Sequence, residues 1–276
     1  MYSRYYTAEE YQQENSSTMG AYVGIGIAMQ KNEEGGVRIV ECYEEGPGDK
    51  AGLKAGDIIS GIDGTDITEK DVSEVVDMIR GSGKEKVVLT VHRQNVENAM
   101  EVTVEITDVE LPSVFSEMLE NQTGYIRISQ FTDVTPDQYE KAFSDLKDQG
   151  MEQLVVDLRG NPGGLLTSVC AILNSILPEG LIVYTEDKYG NRSEERSEGK
   201  TPLDMPFAVL VNENSASASE IFAGAVQDYG IGTIVGTVTY GKGVVQELRP
   251  LSDGSAVKLQ SLIITLRREI PSMRWE

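Results

Sequence analysis

The strongest constraint on the fold is an alternation of strand and helix patterns in the second half of the chain. It starts after the Leu111-Pro112 break and continues to about residue 211. Short apolar runs bounded by glycine or proline are typical of buried strands, and the longer periodic segments between them are typical of helices. Strands are predicted at 125–128, 154–157, near 182 and at 207–211, and helices at 136–147 and after Gly164. This order favours an α/β layered architecture.

The preceding residues, 20 to 106, have a different pattern that is rich in strands. Glycine-containing turns separate the apolar runs, and Val72, Val75, Val76 and Ile79 form one apolar helical stripe. The strands of this region are predicted at 22–29, 37–42, 57–62, 87–91 and 102–106. We therefore expect a β-rich domain at 20–110 and a second domain at 111–276, after a helix-compatible segment at 1–19. Residues 185–204 are charged and poor in apolar side chains, which predicts a surface loop or a mobile strap.

Net charge limits the classes of partner. The 276 residues carry a formal charge of −21 at pH 7. Such a charge repels nucleic-acid phosphates and anionic membrane surfaces. Polypeptide remains a plausible partner, and nucleic acid is not expected.

The content of cysteine and histidine argues against metal sites and disulfides. Cys42 and Cys170 lie in separate apolar segments, which predicts two small buried residues, and the chain has one histidine. We expect no metal and no cofactor. No apolar run reaches the ~18 residues of a membrane span, and the first residues do not resemble a signal peptide. We expect a soluble fragment, shortened at both ends.

Glycines at the start of the first long strand predict a groove that binds a carboxylate. Gly24-Ile-Gly-Ile27 leaves backbone N–H groups accessible to an anion, and a strand edge accepts an added peptide strand. With Ala51-Gly-Leu-Lys-Ala-Gly-Asp-Ile-Ile59 and Ile62-Asp-Gly64, the region resembles a PDZ domain of the bacterial protease type. The resemblance implies recognition of a polypeptide C-terminus between this strand and the Val72 helix. The groove residues would be Tyr22, Gly24, Ile25, Gly26, Ile27, Val72, Val75 and Val76. The alternative is that the glycines only form turns and the valines only form core.

Three further segments in the second domain carry candidate chemistry. Ser217-Ala-Ser-Glu220 has the form of a capping box before a periodic apolar run, so a helix is predicted to begin near Ser217. The helix dipole there favours negative charge on oxygen, although capping alone would explain such a serine. Asp157-Leu-Arg-Gly-Asn-Pro-Gly-Gly-Leu165 is a loop whose two glycines allow backbone N–H groups to approach a ligand. Thr239-Tyr-Gly-Lys-Gly-Val-Val-Gln246 supplies a lysine between glycines.

Taken together, the three segments resemble the carboxy-terminal processing peptidases, also called tail-specific proteases, which are serine peptidases with a Ser/Lys mechanism. The resemblance covers about Gly20 to Lys258. It implies that Ser217 is the nucleophile, Lys242 the general base and Gln246 the residue that orients the lysine. The backbone N–H groups of Gly163 and Ala218 would form the oxyanion hole. The implied fold class is mixed α/β, with a PDZ-like β-rich domain and an α/β layered protease core.

Several assignments stay open at this stage. Ser215 and Ser219 flank Ser217, and only the family register chooses among the three serines. The segment with Lys242 and Gln246 reads as a strand, in which residues four apart are ~13 Å apart, whereas a turn of helix would bring them to ~6 Å. His92 lies in the β-rich domain, so a Ser-His-Asp enzyme is not expected.

Charged residues near these motifs are given structural roles. We interpret Asp157 and Arg159 as an ion pair or an anchor at the strand end. Arg80 is interpreted as a C-terminal helix charge. A coupling role for Arg80 between peptide binding and catalysis is an alternative.

The leading functional hypothesis is an endopeptidase that cleaves protein substrates near their C-termini through an acyl-enzyme. The alternatives are a PDZ peptide-binding adaptor with an incomplete, inactive protease core, and a structural α/β protein. The resemblance implies an extracytoplasmic enzyme that is exported or membrane-anchored.

The end of the chain departs from the family pattern. Members usually continue after Leu259 with a strand that ends in a Tyr-Thr-Pro-x-Gly turn, whereas residues 260–276 read differently. We expect a shift of reading frame near Gln260, with loss of a strand and of C-terminal elements. The resulting unpaired edge would favour a homodimer by edge exchange.

Overall fold

The structure is a computed structural model that describes residues 3–81, 83–187, 189–242 and 244–266. The chain divides into two compact units, and Ala21–Pro112 forms one of them. The second unit combines Ser113 and the residues after it with the segment before Ala21. The N-terminal segment, which we predicted as a separate helical piece, therefore belongs to the second unit.

The described residues form eighteen strands and six α-helices. The strands are β1 (Arg4–Tyr6), β2 (Ala21–Gly24), β3 (Ile27–Lys31), β4 (Val37–Cys42), β5 (Ile58–Ile62), β6 (Thr65–Asp66), β7 (Lys86–His92), β8 (Met100–Glu105), β9 (Thr107–Glu110), β10 (Val114–Leu119), β11 (Thr123–Ile128), β12 (Gln153–Asp157), β13 (Gly180–Glu186), β14 (Arg192–Ser197), β15 (Phe207–Val211), β16 (Thr233–Gly236), β17 (Val244–Pro250) and β18 (Ala256–Leu266). The helices are α1 (Ala8–Met19), α2 (Pro47–Lys50), α3 (Val72–Arg80), α4 (Thr135–Asp148), α5 (Leu166–Ile176) and α6 (Ala218–Tyr229).

The Ala21–Pro112 unit is built on an antiparallel sheet with the order β3-β4-β5-β7-β8, and β2 pairs separately with β9. Helix α3 begins at a capping box in which Asp71 accepts the N–H of Glu74 and Glu74 accepts the N–H of Asp71. Its residues Val75 and Ile79 are buried in the core with apolar side chains of the sheet. The sequence predicted one continuous strand at 22–29. This prediction is wrong in one respect, because a turn at 25–26 divides the segment into β2 and β3.

The second unit contains a five-stranded sheet with the order β10-β11-β12-β15-β16. Strands β11, β12, β15 and β16 run parallel, and β10 is antiparallel to β11. Helices α4, α5 and α6 supply apolar side chains to its core, including Leu146, Val169 and Phe222. The carboxyl ends of parallel strands meet at one edge of a sheet, where ligand sites of α/β proteins occur. The loops that follow β12, β15 and β16 therefore converge.

A second sheet of this unit has the order β1-β18-β13-β14, with β17 also paired to β18. Two predictions are corrected by it. Residues 192–197 form β14, paired with β13, inside the segment predicted as a loop. Residues 260–266 continue β18 and pair with β13 and β17. A strand therefore exists where we expected to lose one, and residues 267–276 lie outside the described part of the chain.

Candidate active site

The three motif loops of the second unit come together at the carboxyl edge of the parallel sheet. The glycine loop follows β12, the serine segment follows β15, and the lysine loop follows β16. Ala216 donates its N–H to the carbonyl of Asn161 (3.0 Å), and Tyr240 donates its N–H to the carbonyl of Ser215 (3.0 Å). These main-chain bonds fix the serine segment between the other two loops.

Two glycines allow the first loop to reach the serine. Gly163 has a φ of +103°, and a Cβ there would lie 2.7 Å from the carbonyl oxygen of Ala216 and 2.8 Å from Cβ of Ser217. Gly164 has a φ of +143°, and a Cβ there would lie 2.0 Å from the carbonyl oxygen of Phe131. Any larger residue would push this loop away from the serine.

Gly163 is one of the two predicted oxyanion donors, and its N–H has a partner within the chain. It donates to Oδ1 of Asn161 at 2.8 Å, and Nδ2 of Asn161 donates to the carbonyl of Ile128 at 2.9 Å. Asn161 has no exposed surface. Ala218, the other predicted donor, is the first residue of α6, where N–H groups have no acceptor within the helix. An oxyanion bound by the N–H groups of Gly163 and Ala218 would therefore compete with Asn161 for the N–H of Gly163.

Ser217 has a backbone conformation that is rare for a residue other than glycine. Its φ is +55° and its ψ is −112°, at the N-cap of α6. The carboxylate of Glu220 accepts the N–H of Ser217 at 2.8 Å. Such strain persists only where surrounding contacts impose it, and it is concentrated at functional sites.

The structure separates Ser217 from the two flanking serines. Ser215 and Ser219 have no exposed surface. Their hydroxyls donate to the carbonyl oxygens of Leu158 (2.8 Å) and Asn161 (3.0 Å). Both hydroxyls hold the glycine loop to the serine segment, whereas Ser217 is half-buried. Of the three, Ser217 is the serine whose surroundings suit a nucleophile.

Lys242 lies in the loop that joins β16 to β17. It is half-buried, and its N–H donates to Oε2 of Glu220 at 2.9 Å. Burial and, secondly, the positive charge of Lys258 hold the pKa of Lys242 below its ordinary value, although the charge of Glu220 acts in the opposite direction. A lysine whose pKa is lowered loses its proton at a lower pH than an ordinary lysine does. The neutral amine can then accept a proton from another group.

Gln246 was predicted to orient Lys242, and this role stays a prediction. Residues 244–250 form β17, and Gln246 pairs with Gln260 of β18. The helical turn that would bring residues 242 and 246 to ~6 Å is not formed.

A pocket of about 440 Å³ opens beside the lysine loop. Its walls are Gly160, Pro162, Asn214, Ala216, Tyr240 and Lys242. Tyr240 is 60% exposed and gives this pocket an aromatic wall. Apart from Lys242, the sequence analysis did not assign these residues, because a wall assembled from three loops has no local pattern.

The acidic and basic residues at the end of β12 form the predicted ion pair. Asp157 is buried and accepts bonds from the guanidinium of Arg159 (2.7 Å) and the hydroxyl of Tyr125 (2.7 Å). These bonds hold the pKa of Asp157 below its ordinary value, against the effect of burial.

His92 bonds to Ser60 (2.8 Å) within the other unit. Cys170 is buried as predicted, whereas Cys42 is only half-buried.

The Ala21–Pro112 unit carries a groove of about 170 Å³ between β3 and α3. It is lined by Tyr22, Gly24, Ile25, Ile27, Met29, Val72, Val76, Ile79 and Arg80. Six of these were predicted from the sequence. Val75 was predicted to line the groove but has no exposed surface and belongs to the core. Gly26 is not among the lining residues, although its φ of +71° forms the turn before β3.

One end of this groove carries a stacked cation. The guanidinium of Arg80 lies 4.7 Å from the ring centroid of Tyr22. Burial raises the pKa of Tyr22 to about 12, with a smaller contribution from Tyr43. The phenol is therefore neutral at physiological pH, and the ring face is available to the cation.

Comparisons with known proteins agree with this architecture. A model of peptidase family S41 matches residues 122–268, and a model of the PDZ domain matches residues 38–93. A probable CtpA-like serine protease of Staphylococcus epidermidis is 35% identical over 263 residues, which cover 93% of this chain and 52% of the relative. Carboxy-terminal processing protease CtpA of Bacillus subtilis is 33% identical over 259 residues, which cover 94% of this chain and 55% of the relative.

Among solved structures, a photosystem II D1 C-terminal processing protease matches with a TM-score of 0.57 and 26% identity. The match covers 99% of this chain and 75% of that structure. The chain spans about half the length of the curated relatives described above. Because the family model accounts for more than half of the sequence, the chain belongs to peptidase family S41, with a PDZ domain in its Ala21–Pro112 unit.

Proposed function

We propose that this chain is a serine endopeptidase that cleaves protein substrates near their C-termini, with Ser217 as nucleophile and Lys242 as general base. The observation that carries the proposal is the convergence of three loops on one serine. Gly163 lies against Ser217, Ala218 begins the helix after it, and Lys242 is bonded to the same carboxylate as Ser217.

In the proposed reaction, neutral Lys242 takes the proton of the Ser217 hydroxyl while Oγ attacks the carbonyl carbon of the scissile bond. The oxygen of the tetrahedral intermediate accepts hydrogen bonds from the N–H groups of Gly163 and Ala218. Loss of one such donor costs about 3–4 kcal/mol of transition-state stabilisation. The C–N bond then breaks, the leaving amine takes the proton from Lys242, and water hydrolyses the acyl-enzyme.

One observation favours the alternative of a peptide-binding adaptor with an inactive core. The N–H of Gly163 already has a partner in Asn161. For catalysis this bond must lengthen or become shared when the oxyanion forms. The role of Gln246 in orienting Lys242 is also proposed from family resemblance.

The groove of the PDZ domain is proposed to bind the C-terminal residues of the substrate. Strand β3 is the first strand of its sheet, so a peptide strand can be added along it. Apolar walls from Val72, Val76 and Met29 suit an apolar last residue. A free apolar C-terminus should bind in the micromolar range, about −8 kcal/mol, and its amide should bind more weakly. Equal binding of acid and amide in a titration would contradict carboxylate recognition.

Cleavage of a denatured protein, followed together with fluorophosphonate labelling, tests the catalytic proposal. The wild type should cleave the substrate and label at Ser217, and Ser217→Ala should do neither while still binding a tail peptide. The matched variants Ser215→Ala and Ser219→Ala should keep the label if they fold. Tail binding by a wild type that neither cleaves nor labels would establish the adaptor instead.

The site of action is proposed by family resemblance to lie outside the cytoplasm. Within the described ranges, the structure has no helix that is both long and apolar enough to cross a membrane.

A further inference from the structure

Glu220 is a buried acidic residue in the first turn of α6, and only 1% of its surface is exposed. A carboxylate in such a place is costly unless donors surround it. The dipole of α6 favours a negative charge at this end of the helix. The sequence predicts Glu220 as half of a capping box, which would explain one bond. In the structure, the carboxylate of Glu220 accepts more than this one bond.

Four donors surround the two oxygens of Glu220. Oε1 accepts from the hydroxyl of Thr239 (2.8 Å) and the N–H of Gly241 (2.7 Å). Oε2 accepts from the N–H of Ser217 (2.8 Å) and the N–H of Lys242 (2.9 Å). Three of these donors belong to the lysine loop, and the fourth is the amide of the serine. We call these five residues the Glu220 cluster.

Oxygen Oε2 links the two catalytic segments directly. The amide nitrogens of Ser217 and Lys242 both bond to this one atom. They can therefore be no farther apart than the two bond lengths together, 2.8 Å and 2.9 Å. The backbone of the lysine is placed against the backbone of the serine by a single side-chain atom.

Other bonds hold the beginning of the lysine loop. Thr237 donates its hydroxyl to the exposed carboxylate of Glu213 (3.2 Å), and Tyr240 donates its N–H to Ser215 (3.0 Å). At the end of the loop, the backbone N–H groups of Gly241 and Lys242 both donate to Glu220. Glu220 thus fixes the part of the loop from which the lysine side chain extends.

We propose that Glu220 is the positioning residue of this peptidase, which holds the backbone of Lys242 beside that of Ser217 so that the two side chains can exchange a proton. The inference rests on the proposed function of Ser217 and Lys242. Glu220 does not touch the substrate in this account. It acts through the position of Lys242, because an error of 1 Å in the placement of a reacting group can cost roughly 10²-fold in rate.

The chemistry of the cluster requires a carboxylate rather than an amide. All four donors point at oxygens that only accept. A glutamine could keep Ser217 and Lys242 on its oxygen, and its NH₂ group could donate to the hydroxyl of Thr239. The same NH₂ group would then face the N–H of Gly241, so this bond would be lost. An alanine would lose all four bonds.

Charge provides a second signature of the role. Charged groups on other elements also bear on this environment. Lys258 of β18 acts on Lys242, and Glu14 of α1 bonds to Lys258. The attraction of Glu220 raises the pKa of Lys242, against burial and Lys258. If Glu220 becomes neutral, the acidic limb of the pH–rate profile should move to lower pH. A loss of activity that comes from unfolding alone would leave that limb unchanged.

The test compares Glu220→Ala, Glu220→Gln and the control Glu213→Gln in the full chain. Glu213 also holds the loop, but its carboxylate is exposed and contacts neither Ser217 nor Lys242. We expect kcat to fall about 10²-fold in Glu220→Ala and about 10-fold in Glu220→Gln, with KM nearly unchanged. In Glu220→Gln the acidic limb should move to lower pH. Glu213→Gln should stay within about twofold of the wild type.

A readout that does not need activity separates this inference from the proposed function. Hydrogen exchange of the Gly241 and Lys242 amides should accelerate in Glu220→Ala while exchange in the β12 core is unchanged. Wild-type kcat and pH profile in both variants would overturn the positioning role, as would a loss of kcat that only follows the folded fraction. If Glu220→Ala does not fold, the kcat and the pH profile of Glu220→Gln decide whether Glu220 has the positioning role. A wild type without turnover or label would overturn the proposed function and this role with it, whatever the exchange rates.

Discussion

The two candidate binding sites of this chain are built on opposite principles. At the carboxyl edge of the parallel sheet, most of the polar groups are buried and bonded within the protein, as in Asn161, Ser215, Ser219 and Glu220. The groove of the PDZ domain is instead lined mainly by apolar side chains, beside the strand that ends its sheet.

The difference agrees with what each site has to do in the proposed function. A catalytic site must hold reacting atoms in place before the substrate arrives, because reorganisation during the reaction costs rate. A peptide groove gains its main-chain bonds only when the ligand strand is added, so its edge must stay accessible. In the proposed function, the same chain uses buried polar networks for chemistry and an apolar edge for recognition.

Replacing Lys242, the proposed base, should give the largest effect. Lys242→Arg keeps a positive charge and a long side chain, but arginine cannot become neutral. We expect activity to fall about 10³-fold or more, with an unchanged unfolding midpoint. Lys242→Met is the matched neutral variant and should be equally inactive. Activity in Lys242→Arg within tenfold of the wild type would mean that Lys242 is not the base.

Weakening the polar network should have the next largest effect. Asn161→Ala removes the side chain that holds the glycine loop and leaves the buried carbonyl of Ile128 without its donor. We expect a loss of about 1–3 kcal/mol in the free energy of unfolding and of about 10²-fold in kcat. Denaturant titration and initial rates measure both. The exposed Asn191→Ala is the control, and equal behaviour of the two variants would contradict a pre-organised loop.

Two adjacent valines of α3 separate groove from core. Val75→Ala should lower the free energy of unfolding by about 2 kcal/mol, because it removes buried methyl groups. Val76→Ala should weaken binding of a tail peptide by several-fold and change stability little, because Val76 lines the groove. Titration calorimetry and thermal unfolding of the full chain give both quantities. If instead Val75→Ala weakens peptide binding and Val76→Ala lowers stability, the groove lies on the other side of α3.

Changing a charge near the base should give the smallest effect. The positive charge of Lys258 lowers the pKa of Lys242, so Lys258→Met should raise it. The acidic limb of the pH–rate profile should then move to higher pH, by less than about one unit. Glu14→Gln leaves Lys258 charged without its carboxylate partner and should not move the limb upward. A shift of the acidic limb to lower pH in Lys258→Met would contradict the predicted effect of the Lys258 charge on the pKa of Lys242.

Much of the scaffold follows from periodicity along the chain. Apart from β14, the strands and helices from β11 to α6 were predicted because each has its own apolar period, and the cap at Ser217 was predicted from four residues. The strand β14 was missed because its charged residues Arg192–Ser197 are held by pairing with β13 rather than by their own preference. Strand β1 was missed for the same reason, since its partner β18 is about 250 residues away.

The site was less predictable than the scaffold. Family resemblance named Ser217 and Lys242, and the structure adds that the hydroxyls of the two flanking serines are buried and bonded to main-chain carbonyls. Helical spacing identified the valine stripe of α3, but it could not tell that Val75 faces the core while Val76 lines the groove. Asn161 and Glu220 lie within motifs that the sequence analysis quoted. Their bonds to other loops depend on the folded chain and have no signal in the sequence.

The pH dependence of fluorophosphonate labelling, with the modified peptide located by mass spectrometry, tests the central claim most directly. The account predicts that the label is on Ser217 and that the labelling rate rises with an apparent pKa below that of an ordinary lysine. In Lys242→Met the labelling should be slow and should lose that rise. Label on Ser215 or Ser219, or the same pH-dependent rate in Lys242→Met, would contradict the claim that Ser217 is activated by neutral Lys242.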